Sequence, residues 1–263
     1  MTFGSSQGTL GDSLWLTPLL RAFPGSTLKM FPSCRNVASL YEGLVSEVLF
    51  VDEPGVPPTV DMPTHVSQKM LVATGKPDSS IVPYIELRFD EIDWARGFLS
   101  QYGDVYRAVV IHTHNSGWAN PDNWFARHVK PPKPIMNVLA AQAQRMGYKV
   151  FQFCNEPWPG KPDNFDPLDI DGVHRVRGLT LRQTAACYHL IGRMVSGDTG
   201  DPYLMLAAGG RLIMLLCPEI KWTGYRHHNV VYTEALWKGE KPRTCYHGFA
   251  EWKKAMNDLT FDW

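Results

Sequence analysis

Three short segments combine glycine, hydroxyl and ionisable side chains in ways that suit ligand chemistry. Gly8-Thr9-Leu10-Gly11-Asp12-Ser13 lies between a short opening segment and the first helical run. Glycines at such a turn let the backbone approach a ligand closely, and the helix dipole favours an acid there in its ionised form. Asp is also a common helix cap, and for this Gly-Asp pair taken alone capping is the simpler reading. The second segment, Ser196-Gly197-Asp198-Thr199-Gly200-Asp201, follows a strand-like run and precedes a helical one. Backbone N–H groups of small residues at a helix start make a phosphate cradle, to which the Thr199 hydroxyl adds a donor. A tight polar turn capped by Asp198 or Thr199 has the same spacing. The third segment, His112-Thr113-His114-Asn115-Ser116-Gly117-Trp118, closes a β-branched run. His112 and His114 fall on one strand face, a spacing found in metal sites. Two histidines with no carboxylate or cysteine clustered nearby in sequence are too few for a metal, so polar ligand contacts from the loop are expected instead. Trp118 and Trp124 offer flat faces to a base or sugar, or simply pack.

The elements that must position these segments alternate between strand and helix. Helical character over residues 12–22 stops at Pro24-Gly25 and is followed by a strand over 27–31, a helix over 35–43 and a strand over 46–51. Residues 54–83 hold six prolines and one short helix over 66–74, and a helix over 90–102 ends the first half. The second half restarts with a buried strand over 108–112. Further strands are predicted over 149–153, 174–176, 193–196, 211–216 and 230–232, with helices over 135–146, 181–191, 203–208 and 249–259. This rhythm marks parallel sheets. Two doubly wound α/β units joined near Gly103 to Arg107 account for it better than one barrel, with the ligand expected at the carboxyl ends of the strands, in the cleft between lobes.

The 263 residues suffice for a sizeable core, and 44% hydrophobic with 12% aromatic residues excludes a disordered chain. Lys and Arg number 26, as do Asp and Glu, so no global charge draws the chain to nucleic acid or anionic membrane. The halves differ: residues 1–105 hold 7 basic against 12 acidic side chains, a balance of −5, which leaves +5 for residues 106–263. An anionic ligand is expected in the second half. Five widely spaced cysteines, Cys34, Cys154, Cys187, Cys217 and Cys245, suit reduced core thiols rather than a disulfide frame or zinc site. With no signal-like start and an apolar run at 204–217 broken by Gly209, Gly210 and Arg211, a cytoplasmic protein without a transmembrane segment is expected.

At these segments the sequence resembles glycosyltransferase family 9, the heptosyltransferase-like enzymes of lipopolysaccharide synthesis. Gly8-Thr9-Leu10-Gly11-Asp12, with Thr17-Pro18-Leu19-Leu20-Arg21 and Phe23-Pro24-Gly25, is similar to that family's opening motif. Gly178-Leu179-Thr180-Leu181, then Ser196-Gly197-Asp198-Thr199-Gly200 and Leu204 with Ala207-Ala208-Gly209, resembles its nucleotide-phosphate motif. The resemblance covers most of the chain in order. It implies a GT-B fold with two Rossmann-like lobes and a central cleft: residues 1–105 on the acceptor side, shorter than the family's usual first lobe, and residues 106–263 binding the nucleotide sugar.

The resulting expectation is an inverting, metal-independent glycosyltransferase, with no cofactor beyond its nucleotide-sugar co-substrate, acting on a hydroxyl of a glycan or small acceptor. Asp12 is the expected general base, and Gly8, Thr9, Leu10, Gly11 and Ser13 form the acceptor-side loop. Asp198, Thr199 and Gly200, helped by Ser116, Gly117 and Arg127, are expected to hold the donor diphosphate. Two other readings are a phage-type glycosyltransferase acting on modified DNA bases and a catalytically silent relative that only binds a nucleotide or glycan. The −5 balance of the first half disfavours duplex DNA as the acceptor. The chain departs from the family in two places. The family's histidine after the Asp-Thr-Gly turn is replaced around Asp201-Pro202-Tyr203, and its lysine is missing near Pro121 to Asn123, where Arg127 or Lys130 would substitute. These departures count against ADP-heptose as the donor.

Overall fold

The computed structural model describes residues 1–5, 10–61, 66–113, 133–154, 167–197, 199–214 and 230–232. Strand β1 (Thr2–Ser5), β2 (Ser26–Met30) and β3 (Val45–Phe50) form a parallel sheet in the order β1-β2-β3. Helix α1 (Leu10–Ala22) connects β1 to β2. It contains Pro18, which has no N–H for the Leu14 carbonyl one turn back; the Thr17 hydroxyl donates to that carbonyl instead, at 2.7 Å. The same Thr17 oxygen accepts from the Tyr84 backbone N–H at 2.8 Å, tying a later segment to the helix. The helix expected over 35–43 is broken into α2 (Arg35–Ala38) between two 3-10 turns, Pro32–Cys34 and Ser39–Tyr41. This winding buries Val37, Leu40 and Tyr41 together, and Gly43 then adopts a left-handed φ of 82°. Helices α3 (Val66–Ala73) and α4 (Phe89–Ser100) follow within two residues of their expected bounds.

The second half forms a six-stranded, all-parallel sheet from β4 (Ala108–Ile111), β5 (Lys149–Cys154), β6 (Val173–Arg177), β7 (Arg193–Ser196), β8 (Arg211–Met214) and β9 (Val230–Tyr232). The order is β6-β5-β4-β7-β8-β9. The chain thus steps outward from β4 in one direction, returns, and steps outward from β7 in the other. Helices α5 (Lys133–Arg145), α6 (Leu181–Ile191) and α7 (Gly200–Ala207) make the connections among the described residues. Helix α6 has local signals at both ends: Thr180 and Gln183 bond reciprocally at its start, and Gly192 closes it with φ 71°.

Alternation along the strands separates two apolar layers. Val109, Ile111, Val150 and Val195 pack with Ile135, Met136, Leu139, Ala140 and Ala143 of α5 on one face. Ala108, Val110, Phe151, Phe153 and Met194 belong to a larger core that continues through α6 and α7 to α1, Phe3 and Leu28 of the first sheet. Both faces are therefore covered, which is why the strands read as unbroken apolar runs. Helix α4 packs along α6. There the buried Arg182 donates from Nε and Nη2 to the two carboxylate oxygens of Glu91, from Nη1 to the Ser39 carbonyl at 2.9 Å and from Nη2 to the Glu86 carbonyl at 2.6 Å. Cys34, Cys154 and Cys187 are buried thiols, and burial pushes Cys187 up to about 12. Cys217, Cys245 and the helix expected over 249–259 lie outside the described residues. Among the described residues, no helix is long and apolar enough to cross a membrane.

Candidate functional site

The strand order reverses between β4 and β7, so the chain leaves their carboxyl ends toward opposite sides of the sheet, the place where open parallel sheets form a ligand-binding crevice. Two of the three chemistry-bearing segments end there. From β4 the chain runs into His112 and Thr113, and from β7 into Gly197, Thr199 and Gly200. The β4–β7 ladder continues one bond past β4, from His112 N–H to the Val195 carbonyl at 2.9 Å. Thr113, buried, accepts from Gln152 Nε2 at 2.5 Å, and Gln152 Oε1 accepts from the Leu168 N–H at 3.1 Å. Both residues entering the β4 loop are thus held by neighbouring strands.

Helix α1 reaches this crevice from the first sheet. A methyl group on Gly200 would lie 2.8 Å from Leu10 Cβ and 3.1 Å from the Gly11 nitrogen, and one on Gly11 would lie 3.6 Å from the Gly200 Cα. The first turns of α1 and α7 therefore touch, with only glycine fitting at Gly200. Trp15 and Tyr203 reinforce the junction edge to face, with centroids 5.5 Å apart. Asp12, next to Gly11 in the first turn of α1, is half-buried. Ser13 is wholly buried, and its carbonyl accepts from the Tyr41 hydroxyl at 3.2 Å.

Thr199 and Gly200 stand at the start of α7. Thr199 precedes α7 in extended conformation, φ −135° and ψ −174°, yet its hydroxyl does not cap the helix. Among the described residues that enclosed oxygen has no hydrogen-bond partner, and neither do the enclosed hydroxyls of Ser196 and Ser13. A buried hydroxyl without a partner is unfavourable, so one beside the open N–H groups of a helix start favours an acceptor brought from outside.

Beneath the crevice lies a polar trio that sequence reasoning missed. Asp201, in the first turn of α7, accepts from the Tyr188 hydroxyl at 2.9 Å and stands 3.7 Å from His112 Nε2. All three side chains are buried. Burial and the Asp201 charge raise the Tyr188 phenol well above its ordinary range, so it remains a donor to the carboxylate. The members are 13 and 89 residues from Asp201 in sequence, a separation that carries no local signal. Among the described residues, no three His, Cys, Asp or Glu side chains come together as a metal-holding group.

The structure thus brings Leu10, Gly11, Thr199 and Gly200 together, with Asp12 at the same junction. It corrects one assignment: Leu10, Gly11 and Ser13 are helical residues of α1, not loop residues, because the helix begins two residues before Asp12. Helix α7 likewise begins at Gly200 rather than Tyr203, with Pro202 tolerated in its first turn. Gly8, Thr9, Ser116, Gly117, Arg127 and Asp198 lie outside the described residues, as do His114, Trp118, Trp124 and Lys130.

No protein-family model and no curated protein matches the sequence. Solved structures do match over nearly the whole chain. A family 9 glycosyl transferase from Veillonella parvula is similar with TM-score 0.63 and 15% identity, covering 99% of this chain and 89% of that one. The ADP-heptose lipopolysaccharide heptosyltransferase II of E. coli gives 0.65 and 12%, covering 98% and 96%. The E. coli heptosyltransferase WaaC, solved with ADP, gives 0.58 and 14%, covering 98% and 95%. Parallel sheets, a crevice where the strand order reverses and these likenesses agree: this chain has the fold of the family 9 and heptosyltransferase-like glycosyltransferases, as its two glycine-containing motifs implied.

Proposed function

We propose that the chain is an inverting, metal-independent glycosyltransferase that moves a sugar from a nucleotide-sugar donor to a hydroxyl of a glycan or small acceptor. In this reading residues 1–105 form the acceptor-side lobe, residues 106–263 the donor lobe, and the cleft between them is the crevice above β4 and β7. The observation that carries the proposal is the contact of Gly200 with Leu10 and Gly11, beside a Thr199 hydroxyl that has no hydrogen-bond partner among the described residues. It brings an acid-bearing helix start and an anion cradle to one point, the two parts that sugar transfer needs.

In the proposed mechanism the diphosphate of the donor rests on the turn Asp198-Thr199-Gly200, with Ser116, Gly117 and Arg127 contributing from the β4 loop. The N–H groups at the start of α7 and the Thr199 hydroxyl stabilise charge as it develops on the departing diphosphate. Asp12 takes the proton of the acceptor hydroxyl as its oxygen bonds to the anomeric carbon and the bond to the diphosphate oxygen breaks, which inverts the anomeric configuration. A heptosyltransferase of the same fold was solved with ADP, which supports a nucleoside diphosphate in this crevice.

A thermal-shift screen of ADP-, UDP-, GDP- and CMP-sugars, followed by a transfer assay with the stabilising donor, tests the proposal. A donor that stabilises the protein and is cleaved only when an acceptor is present supports it. Binding without transfer under any acceptor favours a silent binder. Tight, salt-sensitive binding of hydroxymethylated DNA with sugar transfer to the base overturns the choice of acceptor.

A further inference from the structure

Asp201 is a carboxylate with 3% of its surface exposed, at a position where a polar turn would leave it in solvent. Burying a carboxylate is costly unless specific partners compensate. Among the described residues the Tyr188 hydroxyl donates to it at 2.9 Å, His112 Nε2 faces it at 3.7 Å, beyond hydrogen-bond length, and the positive end of α7 lies beside it. They come from different elements, Tyr188 from α6 and His112 from the carboxyl end of β4. The trio therefore ties together the two segments that diverge at the strand-order reversal, two residues from Thr199 on one side and four from Ser116 on the other.

We propose that Asp201 is a positioning residue for the donor diphosphate: set against His112 and held by Tyr188, it fixes the separation between the end of β4 and the first turn of α7. This rests on the donor site proposed above. A staple needed only for folding could join any two layers of the sheet; this one joins the two sides of the crevice at its floor. His112 itself is anchored through its backbone to Val195, so a shift of the Asp201 carboxylate is passed to the start of the β4 loop rather than absorbed by a mobile side chain. Asp201 touches no reacting atom in this arrangement; it acts through His112 on one side and through the first turn of α7 on the other.

The test is a double-mutant cycle read in nucleoside-diphosphate affinity. ADP, UDP, GDP and CDP are titrated by calorimetry into wild type, Asp201→Asn, His112→Gln and the double variant, with Tm measured on each. Asp201→Asn keeps an acceptor for Tyr188 and loses the charge facing His112. The expected result is a loss of roughly tenfold in affinity for each single variant and no further loss in the double. If Asp201→Asn does not fold, His112→Gln carries the test, because it leaves the Tyr188–Asp201 bond in place. A lowered Tm with affinity unchanged in the folded variants, or losses that add in the double, overturns the proposal. If wild type binds none of the four diphosphates, the donor reading falls, and this proposal with it. If wild type binds and the variants bind equally well, only the positioning role falls.

Discussion

Gly200 sits against Leu10 so closely that a methyl group on its Cα would lie 2.8 Å from the Leu10 Cβ. Neither atom is the free end of a flexible chain, and the Gly11 backbone nitrogen closes the other side at 3.1 Å. Gly200→Ala must therefore push α1 and α7 apart. We expect a loss of about 1–3 kcal/mol of stability, typical of overpacking, together with weaker donor binding. Chemical denaturation and calorimetric titration of the strongest donor check both. An alanine variant with wild-type stability means that the junction is looser than the contact implies.

Asp12 occupies the first turn of α1 at the same junction. As the proposed general base it makes an interaction needed only as the acceptor proton leaves, so its removal should act on turnover rather than donor affinity. Asp12→Asn is expected to reduce transfer by about 10²–10⁴ with donor affinity nearly intact. Should the variant retain most of its turnover, Asp12 is a helix cap and the base is another group.

Much of this arrangement was legible before the structure. Strands at 193–196 and 230–232 and the helix at 181–191 match their observed bounds, because the Val230-Val231 pair, the short Met194-Val195 stretch and the Thr180, Gln183 and Gly192 signals are local. Strand β1 was not, since Thr2–Ser5 is short, rich in small residues, and extended only through its pairing with β2. The helix expected over 35–43 failed because tertiary packing of Val37, Leu40 and Tyr41 overrode helical periodicity. At the site, glycines and hydroxyls announced the two turns. The Asp201–His112 pairing did not announce itself, because it exists only once β4 and β7 lie side by side.

The Thr199 hydroxyl gives a test in which folding and binding separate. Its oxygen is enclosed with no partner among the described residues, so Thr199→Val removes an unfavourable buried group and is expected to leave Tm unchanged or raise it. In the proposed donor site the same change removes a hydrogen bond to the diphosphate, worth about 1.5–3 kcal/mol. Nucleoside-diphosphate affinity should fall between about tenfold and a hundredfold in calorimetry. A variant that loses stability and keeps its affinity contradicts the cradle.

Arg182 and Glu91 set how stability depends on pH. Burial, the largest single influence, pushes the Glu91 carboxyl up, but hydrogen bonds from Arg182 and the Arg88 backbone, with the charges of both arginines, bring it below its ordinary value. A carboxyl lowered in the folded state binds fewer protons there than in the unfolded chain, so its stabilisation is complete above the ordinary carboxylate range, roughly pH 4–5. It is lost as pH falls through the lowered native value. Arg182→Met removes the cation while leaving Glu91 with 11% side-chain exposure and two backbone carbonyls, Ser39 and Glu86, without their donor. The expected penalty at neutral pH is about 3–5 kcal/mol, the usual result of breaking a buried pair from one side. Because the variant's Glu91 keeps only Arg88 to hold it ionised, it loses less stability on protonation than the wild-type carboxyl does, and the difference between wild type and variant should narrow as the solution is acidified from pH 7 toward pH 3. Urea unfolding across that range measures it, and a gap that stays constant with pH would mean that Arg182 holds the two carbonyls and contributes nothing through Glu91.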